Sequence, residues 1–224
     1  KKITMVTAYD YFSAKLVEHA GIDTILVGDS VGMVFAGKEN TLSVSIDEII
    51  YHAKAVKRGA PNTFIVADMP YLSYHVTPVE SVKNAGRIIQ ESGANAVKVE
   101  INAPATLTHV EALISAQIPV IGHIGLTPQS INMFGGWKKQ GKTSSEAEKI
   151  INFANNLASI GVSAIVLECI PAPLAEIITN QVDIATIGIG SGNKCDGQVL
   201  VFYDLLGFDP KNELTFVKKY ANAH

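Results

Sequence analysis

The sequence predicts a single-domain (β/α)8 barrel, the TIM barrel, that covers residues 1–224. Three observations lead to this prediction: short runs rich in Val, Ile and Leu recur eight times, helical patterns separate them, and several runs end in an acidic residue. Near-continuous hydrophobicity is typical of parallel strands that are buried on both faces. Eight such strands alternating with helices favour a closed barrel over an open doubly wound sheet.

The predicted strands are defined by these apolar runs. A Rossmann fold would carry a glycine-rich turn directly after the first run, whereas the sequence there is Ala8-Tyr9-Asp10-Tyr11. No linker or tandem repeat interrupts the pattern, which favours one domain. The predicted strands span residues 3–10, 24–30, 64–70, 96–101, 119–126, 164–170, 184–190 and 198–207.

Capping patterns mark the helices between the strands. A Ser or Thr followed three positions later by Glu is the pattern of a capping box. It occurs at Thr77 with Glu80, at Ser45 with Glu48, and at Ser145 with Glu148. Gly93 and Gly161 stand where two of these helices should end. The two long connections, residues 31–44 and 127–144, follow strand ends, so we expect them at the active face as lids or as ordinary surface loops.

Composition excludes several classes of partner. A net charge of −3 and a pI near 6.1 predict no basic surface for nucleic acid. No apolar stretch approaches the ~20 residues of a membrane span, so we expect no membrane partner. Two cysteines in a chain of this size do not indicate a disulfide framework, which favours a reducing compartment.

Polar side chains stand at the carboxyl ends of the predicted strands, where barrel enzymes place their active sites. A strand buried on both faces normally excludes such groups, because an unpaired buried charge costs several kcal/mol. A single one could be a structural ion pair, but their recurrence on successive strands indicates a site. The candidates are Asp29, Ser30, Asp68, Lys98, Glu100, His123 and Glu168.

Three of these residues suit a metal ion. Asp29, Asp68 and Glu100 end the second, third and fourth predicted strands. Hard oxygen ligands on neighbouring strands suit Mg²⁺, and no His or Cys pair has the spacing of a zinc site. One of the three could instead orient the others without binding the ion.

The remaining candidates allow alternative roles. Lys98, two residues before Glu100 and facing the same way, could bind a substrate carboxylate, stabilise an enolate or form a Schiff base. Glu168, across the barrel, could be the general base for a C–H proton or form a buried ion pair with Lys98. His123 could donate to an oxyanion or be an ordinary core residue.

The glycines of residues 188–192 end the seventh predicted strand. Many barrels bind phosphate at this position, but the signal is weak by itself. Close backbone packing is the alternative explanation.

Seven segments of the sequence match a known family: TAYDY (7–11), LVGDSVGM (26–33), YHAKAVKRGAPN (51–62), ADMPY (67–71), GHIGLTPQSINMFGGWKKQG (122–141), LEC (167–169) and IGIGSGNKCDGQVLV (187–201). Through these segments the sequence resembles the ketopantoate hydroxymethyltransferase family. It implies transfer of a hydroxymethyl group from 5,10-methylenetetrahydrofolate to 3-methyl-2-oxobutanoate, giving 2-dehydropantoate for pantothenate synthesis. It also implies a homodecamer in the cytoplasm.

The resemblance assigns roles to the candidates. Asp29, Asp68 and Glu100 match magnesium-ligand positions, and Glu168 matches the proton acceptor. We expect the substrate to be bound by Asp29, Ser30, Asp68, Lys98 and His123. Compared with the family, residues 1–224 are expected to lack a leading helix and a closing segment.

Two rival interpretations stay open at this point. The first is another Mg²⁺-dependent enzyme on 2-oxo acids, of the isocitrate lyase or phosphoenolpyruvate mutase type. Those enzymes tend to carry a catalytic cysteine in a lid, which Cys169 and Cys195 do not resemble. The second is a barrel that binds a ligand without catalysis.

Overall fold

Eight parallel strands close into a barrel, with β8 pairing with β1, as the sequence predicts. The computed structural model describes residues 2–211 and 214–224. The strands are β1 Ile3–Thr7, β2 Thr24–Val27, β3 Phe64–Asp68, β4 Ala96–Glu100, β5 Val120–Gly125, β6 Ala164–Glu168, β7 Ala185–Ile189 and β8 Gly197–Leu200.

Helices connect the strands and cover the outside of the barrel. They are α1 Tyr11–His19, α2 Val31–Val34, α3 Ile46–Gly59, α4 Pro78–Ser92, α5 Ala105–Ser115, α6 Ile131–Phe134, α7 Ser144–Ile160, α8 Ala172–Gln181 and α9 Phe202–Leu206. A 3-10 turn, Pro128–Ser130, precedes α6. Within the described residues, no helix combines the length and hydrophobicity that crossing a membrane requires.

Side-chain alternation along the strands places the polar residues inside the barrel. Successive strand residues point to opposite faces, so residues two apart share a face. Asp68, Lys98 and His123 each follow a buried apolar residue of the barrel interior by two positions. They therefore lie one layer above it, at the carboxyl mouth. The interior layer consists of Met5, Leu26, Val66, Ala96, Ile121, Ala164, Val166, Ile187 and Val199.

Two of the three predicted capping sites are confirmed. Ser45 and Glu48 form a reciprocal capping box, and the Thr77 side chain accepts the Glu80 N–H. Gly93 and Gly161 end α4 and α7 in the left-handed conformation, as predicted.

The third capping prediction, Ser145 with Glu148, is wrong. Helix α7 begins two residues earlier, where Thr143 accepts the Glu146 N–H. The Glu146 carboxylate also accepts the N–H of Lys142, at 2.8 Å, and that of Thr143. The earlier start is favoured because it satisfies one more free backbone donor.

The eighth apolar run, 198–207, is not one strand as predicted. Strand β8 ends at Leu200, and the Phe202 N–H donates to Thr7 Oγ1 at 3.0 Å, which takes it out of the sheet. The chain then forms α9, which Gly207 ends at φ 68°. Hydrophobicity alone did not separate this helix from the strand before it.

The two long connections are partly helical rather than loops throughout. Residues 31–44 contain α2, and residues 127–144 contain the 3-10 turn and α6. Both run over the carboxyl face of the barrel and line its cavity, as predicted.

Candidate active site

A cavity of about 970 Å³ opens at the carboxyl ends of the strands. The sequence prediction that the polar strand ends meet in one place is confirmed. The strand register puts Asp68 beside Lys98 and Glu100 beside His123. The cavity lining contains every candidate: Asp29, Ser30, Asp68, Lys98, Glu100, His123 and Glu168.

Asp29 and Asp68 are held together at the ends of β2 and β3. The Asp29 N–H donates to Asp68 Oδ2 at 2.9 Å. This approach needs Gly28, because a Cβ there would lie 3.3 Å from the same Oδ2 and 2.8 Å from Ser30 Oγ. Burial, with the charges of Asp68 and Glu100, raises the pKa of Asp29 well above its usual range. Ionisation of Asp29 beside Asp68 is therefore unfavourable unless a further positive charge is present.

Lys98 is the buried cation of this cluster. Its Nζ lies 3.1 Å from Asp68 Oδ1 and 3.3 Å from His123 Nδ1. Burial by itself would lower the pKa of Lys98, but Asp68, Glu100 and Asp29 outweigh it and raise that pKa. A Schiff base requires a neutral amine, so this environment favours the alternative in which Lys98 acts as a positive charge. The predicted ion pair with Glu168 is not formed, because Lys98 contacts Asp68 instead.

His123 bridges the two sides of the cavity. Its Nδ1 lies 3.6 Å from Glu100 Oε1, and its Nε2 lies 3.1 Å from Glu168 Oε2. The second contact is close but not aligned as a hydrogen bond, since Nε2 has no hydrogen-bond partner. Burial and Lys98 lower the pKa of His123, yet the two glutamates prevail and raise it to about 9. His123 thus contacts Lys98, Glu100 and Glu168 and is a member of the site rather than an ordinary core residue.

Gln129, which lies in the 3-10 turn after β5, was not among the predicted site residues. Its backbone N–H donates to Glu100 Oε2 at 2.9 Å, and its Nε2 donates to Asp29 Oδ2 at 2.9 Å. Tyr74 donates its hydroxyl to Gln129 Oε1 at 2.7 Å. One buried amide therefore ties two acidic residues together. The candidates were chosen as polar residues at the ends of predicted strands, and Gln129 lies beyond the end of its strand.

Tyr9 was also missed, although it lies in the TAYDY segment. Its hydroxyl is 2.8 Å from Ser30 Oγ, and the ring is fully buried. Burial raises the pKa of Tyr9, so the phenol stays protonated and can fix the orientation of Ser30.

The glycines of residues 188–192 serve packing. A Cβ at Gly188 would lie 3.0 Å from Cys195 Sγ, and one at Gly190 would lie 3.1 Å from Cys169 Sγ. Gly190 and Gly192 also have positive φ, which favours glycine. Close packing is thus the better of the two explanations offered for this segment.

Comparison with known proteins shows the family of the chain. The model of the ketopantoate hydroxymethyltransferase family matches residues 1–224. The chain belongs to this family. The 3-methyl-2-oxobutanoate hydroxymethyltransferase of Clostridium botulinum (strain Alaska E43 / Type E3) is 57% identical over 226 residues, 99% of this chain and 80% of that protein. The enzyme of the same name from Geobacillus thermodenitrificans (strain NG80-2) is 53% identical, over 98% and 78% of the two chains.

Solved structures of the same shape come from distant proteins. A phosphoenolpyruvate phosphomutase from Streptomyces platensis subsp. rosaceus has a TM-score of 0.69 at 14% identity, covering 92% of this chain and 78% of that one. A phosphonopyruvate hydrolase in complex with oxalate and Mg²⁺ has a TM-score of 0.68 at 12% identity, covering 90% and 76%. Identities this low show the fold alone. The rival mutase or lyase interpretation therefore rests on shape, whereas the ketopantoate hydroxymethyltransferase family is supported by sequence along the whole chain.

The donor set of this family member fits a hard cation in its chemistry. Asp68 Oδ1 is buried beside the Lys98 ammonium but has no hydrogen bond, and burial, together with repulsion from Asp68 and Glu100, raises the pKa of Asp29. Convergent carboxylates of this kind are relieved by a cation. Across residues 2–211 and 214–224, however, no three His, Cys, Asp or Glu side chains are placed so that all could hold one ion directly. Mg²⁺ commonly takes one or two protein carboxylates and completes its shell with water and substrate, which this arrangement allows.

Proposed function

We propose that this chain transfers a hydroxymethyl group from 5,10-methylenetetrahydrofolate to 3-methyl-2-oxobutanoate, giving 2-dehydropantoate in pantothenate biosynthesis. The observation that carries the proposal is the placement of Glu168 and His123 in one cavity with the Asp29, Asp68 and Glu100 cluster, in a chain of this family. A base on one side and an acidic cluster on the other suit the removal of a proton next to a keto group.

Asp29, Asp68 and Glu100 would hold Mg²⁺, directly or through water. When bound, the ion would supply the positive charge that stabilises an enolate of the keto acid. Lys98 and Ser30 would bind the carboxylate and keto oxygens of the substrate. Lys98 suits this role because its raised pKa keeps it charged, and Ser30 is oriented by Tyr9.

Glu168 would remove the proton from C3 of the keto acid. Its carboxylate lies 3.1 Å from His123 Nε2, so the imidazole can hold the base in position. Water would add to the one-carbon unit of the folate and replace its two bonds to folate nitrogens, which releases tetrahydrofolate and leaves formaldehyde in the cavity. The C3 carbon would then bond to the formaldehyde carbon, and the formaldehyde oxygen would take up the proton and become the hydroxyl group.

Two measurements test this proposal. We expect Mg²⁺-dependent exchange of the C3 proton of 3-methyl-2-oxobutanoate in D₂O, lost in Glu168→Gln and retained in the control Glu176→Gln, whose carboxylate pairs with Lys194 outside the cavity. We also expect label from [¹³C]methylenetetrahydrofolate in 2-dehydropantoate. Exchange that persists in Glu168→Gln would remove this residue from its role, and an unlabelled product would reject the reaction.

We further propose that the chain assembles as a homodecamer and acts in the cytoplasm, as its family resemblance implies. Self-association is supported by exposed apolar side chains on neighbouring helices, Phe12 and Leu16 on α1 and Tyr51 on α3. Exposed apolar patches of this kind commonly mark interfaces. Light scattering after size-exclusion chromatography would measure the mass of the assembly, and a monomer at micromolar concentration would contradict the proposal.

A further inference from the structure

The cavity extends well beyond the acidic cluster. A keto acid of five carbons fills only a small part of about 970 Å³, a volume sufficient for a drug-sized ligand. Away from Asp29 and Glu100, the lining changes in character and comes from the residue 127–144 connection, α9 and the chain that follows α9. The keto acid does not need this part of the cavity in order to bind.

Aromatic rings form much of this second part. Tyr203 stacks on the buried Tyr9 with centroids 6.0 Å apart, and Phe208 meets Tyr203 edge-on at 5.1 Å. The ring of Phe216 lies against the backbone of Gly190, where a Cβ would be 3.1 Å away. Trp137 completes the group and is half exposed. Such rings offer flat apolar surfaces to a planar ligand.

Two lysines beside these rings lack a carboxylate partner. Four lysines line the cavity, and two of them are paired, Lys38 with Glu48 at 2.9 Å and Lys98 with Asp68 at 3.1 Å. Lys138 and Lys139 have no carboxylate within ion-pair distance among the residues that the structure describes. Lys139 directly precedes Gln140, whose N–H donates to the Cys169 carbonyl at 3.0 Å, and Cys169 follows Glu168 in the chain.

We propose that this second part of the cavity is the subsite for the one-carbon donor, with Lys138 and Lys139 binding the glutamate carboxylates of the folate. The assignment rests on the proposed function. The aromatic wall would hold the pterin ring. A ligand bound in this way brings its one-carbon unit toward Glu168 and the C3 carbon of the keto acid.

The first test compares Lys138→Gln/Lys139→Gln with the control Lys142→Gln, a lysine of the same connection outside the cavity lining. We expect the double variant to raise KM for 5,10-methylenetetrahydrofolate about fivefold to tenfold, as two exposed charge pairs allow. The effect should be greater for the triglutamate than for the monoglutamate and should shrink at high salt. An unchanged KM, or an equal rise in Lys142→Gln, would overturn the assignment.

The second test measures binding without catalysis. Trp137 is the single tryptophan of the chain, so its fluorescence reports on this part of the cavity. We expect tetrahydrofolate to quench it, with a Kd that rises in the double variant but not in Lys142→Gln. Absence of quenching would contradict the subsite.

Solvent exchange of the C3 proton separates this inference from the proposed function. Exchange requires the keto acid but no donor, so we expect the double variant to retain it. Loss of exchange would overturn the subsite by showing that the lysines serve the keto acid. The opposite result is also possible: the wild-type chain forms no product from the donor, yet tetrahydrofolate quenches its Trp137 fluorescence and the Kd rises in the double variant. That result would refute the reaction while leaving the subsite in place.

Discussion

Gln129 Nε2 donates a hydrogen bond to Asp29 Oδ2 at 2.9 Å, across 100 residues of sequence. The same Nε2 donates to the Met69 carbonyl at 3.0 Å, and the Gln129 backbone N–H holds Glu100. Gln129 therefore fixes two acidic side chains, Glu100 through its backbone N–H and Asp29 through its side-chain amide. It does so with neutral donors, which leave the negative charge of the cluster available to a cation.

Gln129→Leu should weaken cation binding without unfolding the chain. The substitution leaves Asp29 and the Met69 carbonyl without a buried donor, which costs about 1–3 kcal/mol. We expect the Kd for Mn²⁺ to rise and kcat/KM to fall, each about tenfold or more. Titration of Mn²⁺ followed by electron paramagnetic resonance would measure the first quantity. Gln90→Leu on the exposed face of α4 is the control, and wild-type Mn²⁺ affinity in Gln129→Leu would contradict the prediction.

Asp29→Asn should stabilise the metal-free chain. Because burial and neighbouring charges raise the pKa of Asp29, its charged form is unfavourable in the folded state. The penalty grows as pH rises above the unfolded value of 3.8 and levels off above the folded pKa. At pH 7.5 we expect a gain of about 1 kcal/mol, which is about 2–4 °C in Tm for this length.

Thermal unfolding in EDTA at pH 5 and pH 8 would check this second prediction. The increase in Tm of Asp29→Asn over the wild type should be larger at pH 8 than at pH 5. Adding Mg²⁺ should stabilise the wild type more than the variant, because the variant has lost a ligand charge. A variant less stable than the wild type in EDTA at pH 8 would show that repulsion at Asp29 is not significant.

Gly28→Ala should impair the site, whereas Gly86→Ala should not. A Cβ at Gly28 would meet Ser30 Oγ at 2.8 Å and Asp68 Oδ2 at 3.3 Å, so both groups must move. We expect kcat/KM to fall about tenfold or more, since small displacements of positioned groups slow a reaction sharply. Gly86, inside α4, has nothing within 4 Å, and alanine there should stabilise the helix by about 0.5–1 kcal/mol. Steady-state kinetics would measure kcat/KM, and urea unfolding would measure stability, for both variants. An unchanged kcat/KM in Gly28→Ala would contradict the prediction.

Glu48→Gln should destabilise the chain at neutral pH but not in strong acid. The Ser45 N–H and the Lys38 ammonium lower the pKa of Glu48 to about 2. A carboxylate with a lowered pKa stabilises the fold above its unfolded value of 4.5 and loses that effect as pH falls through about 2. Because the side chain is partly exposed, we expect only about 1 kcal/mol at pH 7.

Urea unfolding across the acid range would measure this pH dependence. The difference between wild type and Glu48→Gln should narrow between pH 4.5 and pH 2. Glu111→Gln, at an exposed position of α5, serves as control, and its free energy of unfolding should equal that of the wild type at each pH. A difference that stays constant with pH would mean that the loss comes from helix capping geometry instead of charge.

The barrel could be predicted because each of its strands carries its own signal. A strand buried on both faces is apolar throughout, and Thr77 and Gly93 mark where α4 begins and ends. The eighth run failed because apolar residues 198–207 continue through β8 into α9, and hydrophobicity does not distinguish the two. The capping error at Ser145 arose because a better pair of Thr and Glu lay two residues earlier.

The candidate site could be predicted only in part. Alternation along parallel strands was enough to place Asp68, Lys98 and Glu168 at one mouth. Gln129 and Tyr9 could not be found this way, because their importance lies in partners 100 and 21 residues away.

The sequence by itself determined that strands would form, that they would run parallel, and that their polar ends would meet. These properties follow from local hydrophobicity and the two-residue period of a strand. Only the tertiary structure decided which charges pair, namely Lys98 with Asp68 and His123 with Glu168. Pairing depends on distances of 3 to 4 Å between side chains on different strands, and closure of the barrel sets those distances.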